Sequence, residues 1–137
     1  MARSLLYAID GTMRRVVALI AVLLGAGCLT PSIPIPPPDP ALMDFMVAGS
    51  ATATTAAFEY PPDHNYIGST VFIFNRHNGT GVIDVARPDG SVGPTPAFAA
   101  QLGDQVVVTF QNEDQTVSTC IRLREGSQSS TDYCDQP

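Results

Sequence analysis

Downstream of Pro40, short apolar runs alternate with clusters of Gly, Pro, Asn and Asp at roughly eight- to twelve-residue spacing, the pattern of an all-β sandwich or barrel. No stretch there carries the apolar period of about 3.6 residues that a core helix needs. The runs 43–48 and 50–58 read as the first two strands, the second alternating Ala and Thr before Phe58. Tyr60-Pro61-Pro62-Asp63 breaks the chain. Thr70-Val71-Phe72-Ile73-Phe74 is continuously β-branched or aromatic and reads as a central strand. Asn78-Gly79 is a strong hairpin signal and makes 81–86 the return strand. Pro88-Asp89-Gly90 turns the chain again, and 97–102 leads to a further turn at Gly103-Asp104. The runs 105–110 and 116–123 form the last pair, joined through Asn112-Glu113-Asp114-Gln115.

The last run fixes its own faces. Period-two alternation sets Val117, Thr119, Ile121 and Leu123 toward a core, and Ser118, Cys120, Arg122 and Arg124 toward solvent. Upstream, residues 31–40 carry prolines at 31, 34, 36, 37, 38 and 40, which excludes both helix and sheet pairing. As polyproline II at about 3.1 Å per residue, this stretch is expected to act as a tether or spacer with no fold of its own. The runs therefore predict one sandwich domain over 42–126 and a C-terminal tail over 127–137.

The N-terminal part has a separate logic. Arg14 and Arg15 precede the apolar and small residues 16–27, which end at Cys28. A bilayer span needs about 20 apolar residues, whereas a signal-peptide core needs about 7–15 behind positive charge. Met13-Arg14-Arg15 is a compact basic start, so Met13 is the expected initiator. Gly25-Ala26-Gly27-Cys28 resembles the lipobox of bacterial lipoproteins, with Leu24 one position further out than the family's leucine. The resemblance implies cleavage after residue 27 and a lipid on Cys28. It makes 28–41 a lipid-anchored proline-rich linker and the membrane a partner through that lipid. Leu29, which is not Asp, implies the outer membrane of a bacterial envelope. A plain secretory cut near Gly27, without lipid, is the alternative.

With Cys28 assigned to lipid, Cys120 and Cys134 remain in an oxidising compartment, where a pair is expected to bond. On the faces above, such a bond staples the tail across the outside of the sheet. Removing residues 1–27 takes away three arginines and one aspartate, so the net charge moves from −6 to −8. A surface of that sign repels phosphate backbones, which argues against nucleic acid as a partner.

Chemistry is sparse. His64 follows two prolines and Asp63, and His77 adjoins Asn78-Gly79; both read as solvated loop residues. No Gly-x-Ser-x-Gly elbow is present, and Glu59, Glu113 and Glu125 follow no spacing that pairs catalytic carboxylates. No phosphate-cradling loop or zinc spacing occurs, so neither an enzyme activity nor a cofactor is expected. Asp84, Asp89, Asp104, Glu113 and Asp114 lie in or near turns and offer oxygen ligands for calcium, or caps for those turns. Tyr60 and Tyr66 could line a sugar-binding surface, or pack at the core rim with their hydroxyls in water.

Gly68-Ser69-Thr70-Val71, then Asp89-Gly90-Ser91, then Gly103-Asp104-Gln105-Val106-Val107-Val108 resemble the bacterial immunoglobulin-like domains of surface and secreted proteins. The resemblance covers 68–125. It implies a single immunoglobulin-like antiparallel sandwich of about six to eight strands. Such a fold behind a lipid anchor implies a non-catalytic binding or scaffolding role toward an envelope protein or glycan. Without the anchor, the same reading gives a secreted carbohydrate-binding or adhesion module.

Overall fold

A computed structural model describes residues 33–113, 115–129 and 133–134. The strands are β1 (Asp44–Ser50), β2 (Ala53–Glu59), β3 (Thr70–Asn75), β4 (Gly81–Val85), β5 (Phe98–Ala99), β6 (Gln105–Asn112), β7 (Gln115–Arg122) and β8 (Gly126–Ser127). They form two antiparallel four-stranded sheets, ordered β5-β2-β1-β8 and β4-β3-β6-β7. The chain is therefore an all-β protein whose two sheets pack as a sandwich. Thr70–Phe74 falls in β3, which pairs with both β4 and β6, as a continuously apolar run should. The turn at Asn78-Gly79 also holds, but as a longer loop: Asn75 pairs with Thr80 through a 2.8 Å backbone bond, and Gly79 takes a φ of 72°.

Alternation decides what is inside. Val71 and Ile73 of β3, Val106, Val108 and Phe110 of β6, and Ile121 with Leu123 at the end of the chain's last long strand are buried. Phe45 and Phe58 face them from the other sheet. Arg122 and Arg124 are exposed, and Thr119 is buried, as the period-two pattern requires. Each fully buried Val, Ile or Phe side chain contributes about 1.5–3 kcal/mol. Between β4 and β5, Gly90 (φ 81°) lies against the next layer so tightly that a Cβ there would come within 1.7 Å of the Asp63 carbonyl oxygen. Only glycine fits both that conformation and that approach.

Three features differ from the sequence expectation. First, Gly126–Ser127 is a strand, paired with Phe45 and Asp44, so the sandwich closes one residue beyond the run that ends at 126. Two residues are too short to carry an alternating signal. Second, the proline-rich segment is not free of the fold from Ile35 onward. The Ile35 amide donates to Gln115 Oε1 at 2.8 Å, and the Thr119 hydroxyl donates to the Pro38 carbonyl at 2.7 Å. Pro38 and Pro40 are buried, and Asp39 caps a 3-10 turn over Pro40–Leu42. Proline lacks the N–H to join a sheet, but its carbonyls still accept.

Third, the tail meets the sheet edge-on. Cys120 and Cys134 lie at disulfide-bonding distance, with Cα atoms 5.3 Å apart. The Cys134 amide donates to the Cys120 carbonyl at 3.0 Å, and Tyr133 bridges Ile121. Tyr133 and Cys134 thus lie along the edge of β7 as an antiparallel neighbour instead of crossing the outer face. Closing a loop of about 15 residues contributes roughly 3 kcal/mol in the chain-entropy picture.

Candidate functional site

The two ends of β3 differ in chemistry. At its start, Tyr60, Tyr66 and Phe110 form an aromatic cluster. The Tyr66 and Phe110 rings are stacked at 4.1 Å between centroids, and Tyr60 meets each of them edge-on, at 5.6 Å and 5.4 Å. Both tyrosines are buried, and their hydroxyls reach the proline segment instead of water. The Tyr66 hydroxyl donates to the Pro36 carbonyl at 2.9 Å, and the Tyr60 hydroxyl accepts from the Asp39 amide at 3.3 Å. Burial pushes the Tyr66 hydroxyl's pKa up, and burial raises that of Tyr60 as well. Neither ring is open to a sugar face, so the rim-and-water and sugar-surface readings of these tyrosines both give way to a core role. The signal missing from the sequence was the strap: nothing local says that Pro36 lies over Tyr66.

At the far end of β3 the interior is polar. Asn75 is fully buried, with both amide hydrogens donated and its oxygen accepting. Its Nδ2 donates to Asp104 Oδ2 at 2.7 Å and to the Ala99 carbonyl at 3.2 Å, and its Oδ1 accepts from the His77 amide at 2.9 Å. Asp104 Oδ2 also accepts from the Gln101 amide at 2.9 Å. The Gly103-Asp104 turn noted in the sequence is thus a structural lock, joining the β3–β4 and β5–β6 connections.

This lock underlies an open cleft of about 590 Å³ lined by Arg76, His77, Gln101, Asp104, Gln105 and Arg122, among others. Its cations come from neighbouring strands in one row. The Arg76 amide donates to the Gln105 carbonyl at 2.9 Å, and Gln105 is the ladder partner of Arg122. A second cleft, of about 540 Å³, lies beside Asp44, Glu59, Tyr60 and Arg87. There the Arg87 guanidinium donates to Ser91 Oγ at 3.3 Å and to the Gly93 carbonyl.

The structure does not bring the candidate ligands and bases together. Asp104 precedes β6 and Glu113 follows it, so this eight-residue strand holds them about 30 Å apart. Asp84 accepts from the Val85 amide at 2.8 Å. Asp89 accepts from the Ser91 amide at 2.9 Å and hydroxyl at 2.7 Å, and Ser91's hydroxyl, then its amide, hold the Asp89 carboxyl below its usual range. Asp114 lies outside the described residues, as does Cys28. Among the described residues no three His, Cys, Asp or Glu side chains gather for a metal, and Asp89 and Asp104 serve as turn caps. His64 and His77 are both exposed and lie beyond opposite ends of β3, so they share no centre. Nor, among the described residues, is any helix long and apolar enough to cross a membrane.

Sequence reasoning placed Arg122 on the solvent face but did not single out Arg76 or the row they form with Gln105. Alternation gives a side chain's face; which strands lie side by side is a matter of topology. No protein-family model, curated protein or solved structure matches the chain.

Proposed function

We propose that the chain is an envelope lipoprotein in which a lipid on Cys28 anchors a non-catalytic binding domain. The observation that carries the reading is the run from Arg14 to Cys28: two basic residues, an apolar core of signal-peptide length, small residues and a cysteine. The strand order supports an immunoglobulin-like sandwich within it. Strands β5-β2-β1 face β4-β3-β6-β7, and the chain changes sheets between β2 and β3, between β4 and β5, and again before β6. Docking of Ile35 to Pro40 on the domain removes those residues from the spacer, so at most residues 29–34 separate the anchor from the first held backbone. The domain works close to the membrane under this reading, not at the tip of a ten-residue stalk.

Metabolic labelling with a palmitate analogue tests it. The native chain is expected to take up label and fractionate with membranes, and Cys28→Ala to lose both. An unlabelled native chain, or a Cys28→Ala protein still held in the membrane, overturns the anchor. One observation favours a second reading: the lipobox leucine stands one residue out of place, at Leu24. An unlabelled chain with a free N-terminus near residue 28, found in the medium, would establish a secreted binding module instead.

A further inference from the structure

We propose that the free edge of β4 is an interface for a second copy of this chain, paired strand to strand across a two-fold axis at Ile83. This stands whether or not Cys28 carries lipid. The two sheets have four edges, and three of them are blunted. β5 and β8 are only two residues long, and Tyr133 and Cys134 lie along the edge of β7. The fourth edge is β4, which offers the five residues Gly81–Val85, and among the described residues nothing pairs with its outer side. Native sheets protect such an edge with lysine, proline or a cover, because its unpaired N–H and C=O groups template another strand. β4 has no lysine, arginine or proline, and its Ile83 and Val85 are 66% and 58% exposed.

The register decides which backbone groups face outward. The Asn75 amide donates to the Thr80 carbonyl, and the Ala86 amide to the Ser69 carbonyl, both at 2.8 Å. Antiparallel alternation between these two bonds turns the backbone groups of Val82 and Asp84 toward β3, and those of Gly81, Ile83 and Val85 away from it. A two-fold centred on Ile83 sets Ile83 opposite its own copy, Gly81 opposite Val85 and Val82 opposite Asp84. Val85 then meets a residue without a side chain, two β-branched side chains meet at the centre, and no charge stands opposite a like charge. That selects a second copy as the occupant, on a chain whose net charge of −8 without residues 1–27 makes copies repel elsewhere. The apolar band also continues across the axis, because Phe72 stands beside Ile83, and Phe74 beside Gly81, on the outward face. Asp84 is the only ionised side chain of β4, and its Oδ1 accepts from the Val85 amide at 2.8 Å. That bond competes with the outer inter-chain bonds and leaves the central Ile83 pair open. A five-residue strand is about 17 Å long, which puts the contact at the low end of specific interfaces, below about 1,200 Å².

Sedimentation equilibrium of the purified Cys28→Ala protein tests this. A reversible monomer–dimer equilibrium is expected, with a dissociation constant on the order of 100 μM. Hydrogen exchange at the Ile83 amide should slow as the protein concentration rises, while exchange at Met46, on the other sheet, stays constant. Ile83→Lys should weaken the dimer by about tenfold or more while far-UV circular dichroism stays native, because the side chain is exposed and the new charge meets its own copy. Met46→Lys adds the same charge at an exposed position of β1 and should leave the dimer unchanged. A monomer at about 1 mM, a dimer that survives Ile83→Lys, or an equal loss in Met46→Lys would overturn the interface. So would a dimer whose Ile83 amide exchanges as fast as the monomer's, which would move the contact to a sheet face. Open-ended oligomers would exclude the two-fold, because an isologous pair closes.

Discussion

The two ends of the sandwich solve the same problem with opposite chemistry. Each must cover the core where the pairing of β3 stops. At the start of β3 the closure is aromatic: Tyr60, Tyr66 and Phe110 form it, and the segment from Ile35 to Asp39 lies over them. At its far end the closure is a buried amide and a buried carboxylate, Asn75 and Asp104, with an open cleft above. An aromatic plug is non-directional and tolerates movement of what covers it, whereas an Asn–Asp lock holds donors and acceptors at fixed positions. The strapped end is built for stability, and the locked end for holding loops in place beside a cleft.

That contrast can be broken by mutation. The largest expected effect is at the strapped end: Phe110→Ala should lower the unfolding free energy by about 3–5 kcal/mol in urea titration, because the stacked Tyr66 ring loses its partner and a cavity remains. A loss below about 1 kcal/mol would mean the cluster is not part of the core. Next, Asp104→Ala should cost about 2–3 kcal/mol, since the Asn75 amide and the Gln101 N–H lose their buried acceptor. Hydrogen exchange should then quicken at His77 and Gln101 and stay native at Tyr66. Uniform quickening would show that the two ends are not independent.

The smallest effect sharpens the strapped end. Tyr66→Phe removes only the bond to the Pro36 carbonyl and should cost about 1 kcal/mol. The same hydroxyl sets an alkaline limit. Its pKa is raised on folding, so above the ordinary tyrosine value near 10 the unfolded chain gives up a proton that the folded one keeps. The unfolded state then binds fewer protons, and stability falls as pH rises. Thermal midpoints are expected to be insensitive to this group below about pH 10 and to decline above it, less steeply in Tyr66→Phe. An identical decline in that variant would remove Tyr66 from the account.

The strands were largely readable because their signals are local. Val, Ile, Thr and Phe runs bounded by Asn78-Gly79, Asp89-Gly90 and Gly103-Asp104 name the elements, and alternation from Val117 to Arg124 names their faces. The site was less readable. Asp104 looked like a loop acid and Tyr66 like a rim residue, because the partners that define them, Asn75 and Pro36, are 29 and 30 residues away.

By itself the sequence determined the strand runs, the inward and outward faces of the last long strand and the oddness of the N-terminal segment, since each rests on residues a few positions apart. Tertiary structure decided the rest: that β3 lies between β4 and β6, that prolines strap an aromatic plug, that the tail joins the edge of β7, and that Arg76 and Arg122 share a cleft. The physical reason is pairing. Periodicity tells a side chain which way to point, but only the packing of strands distant in sequence tells it what it will meet.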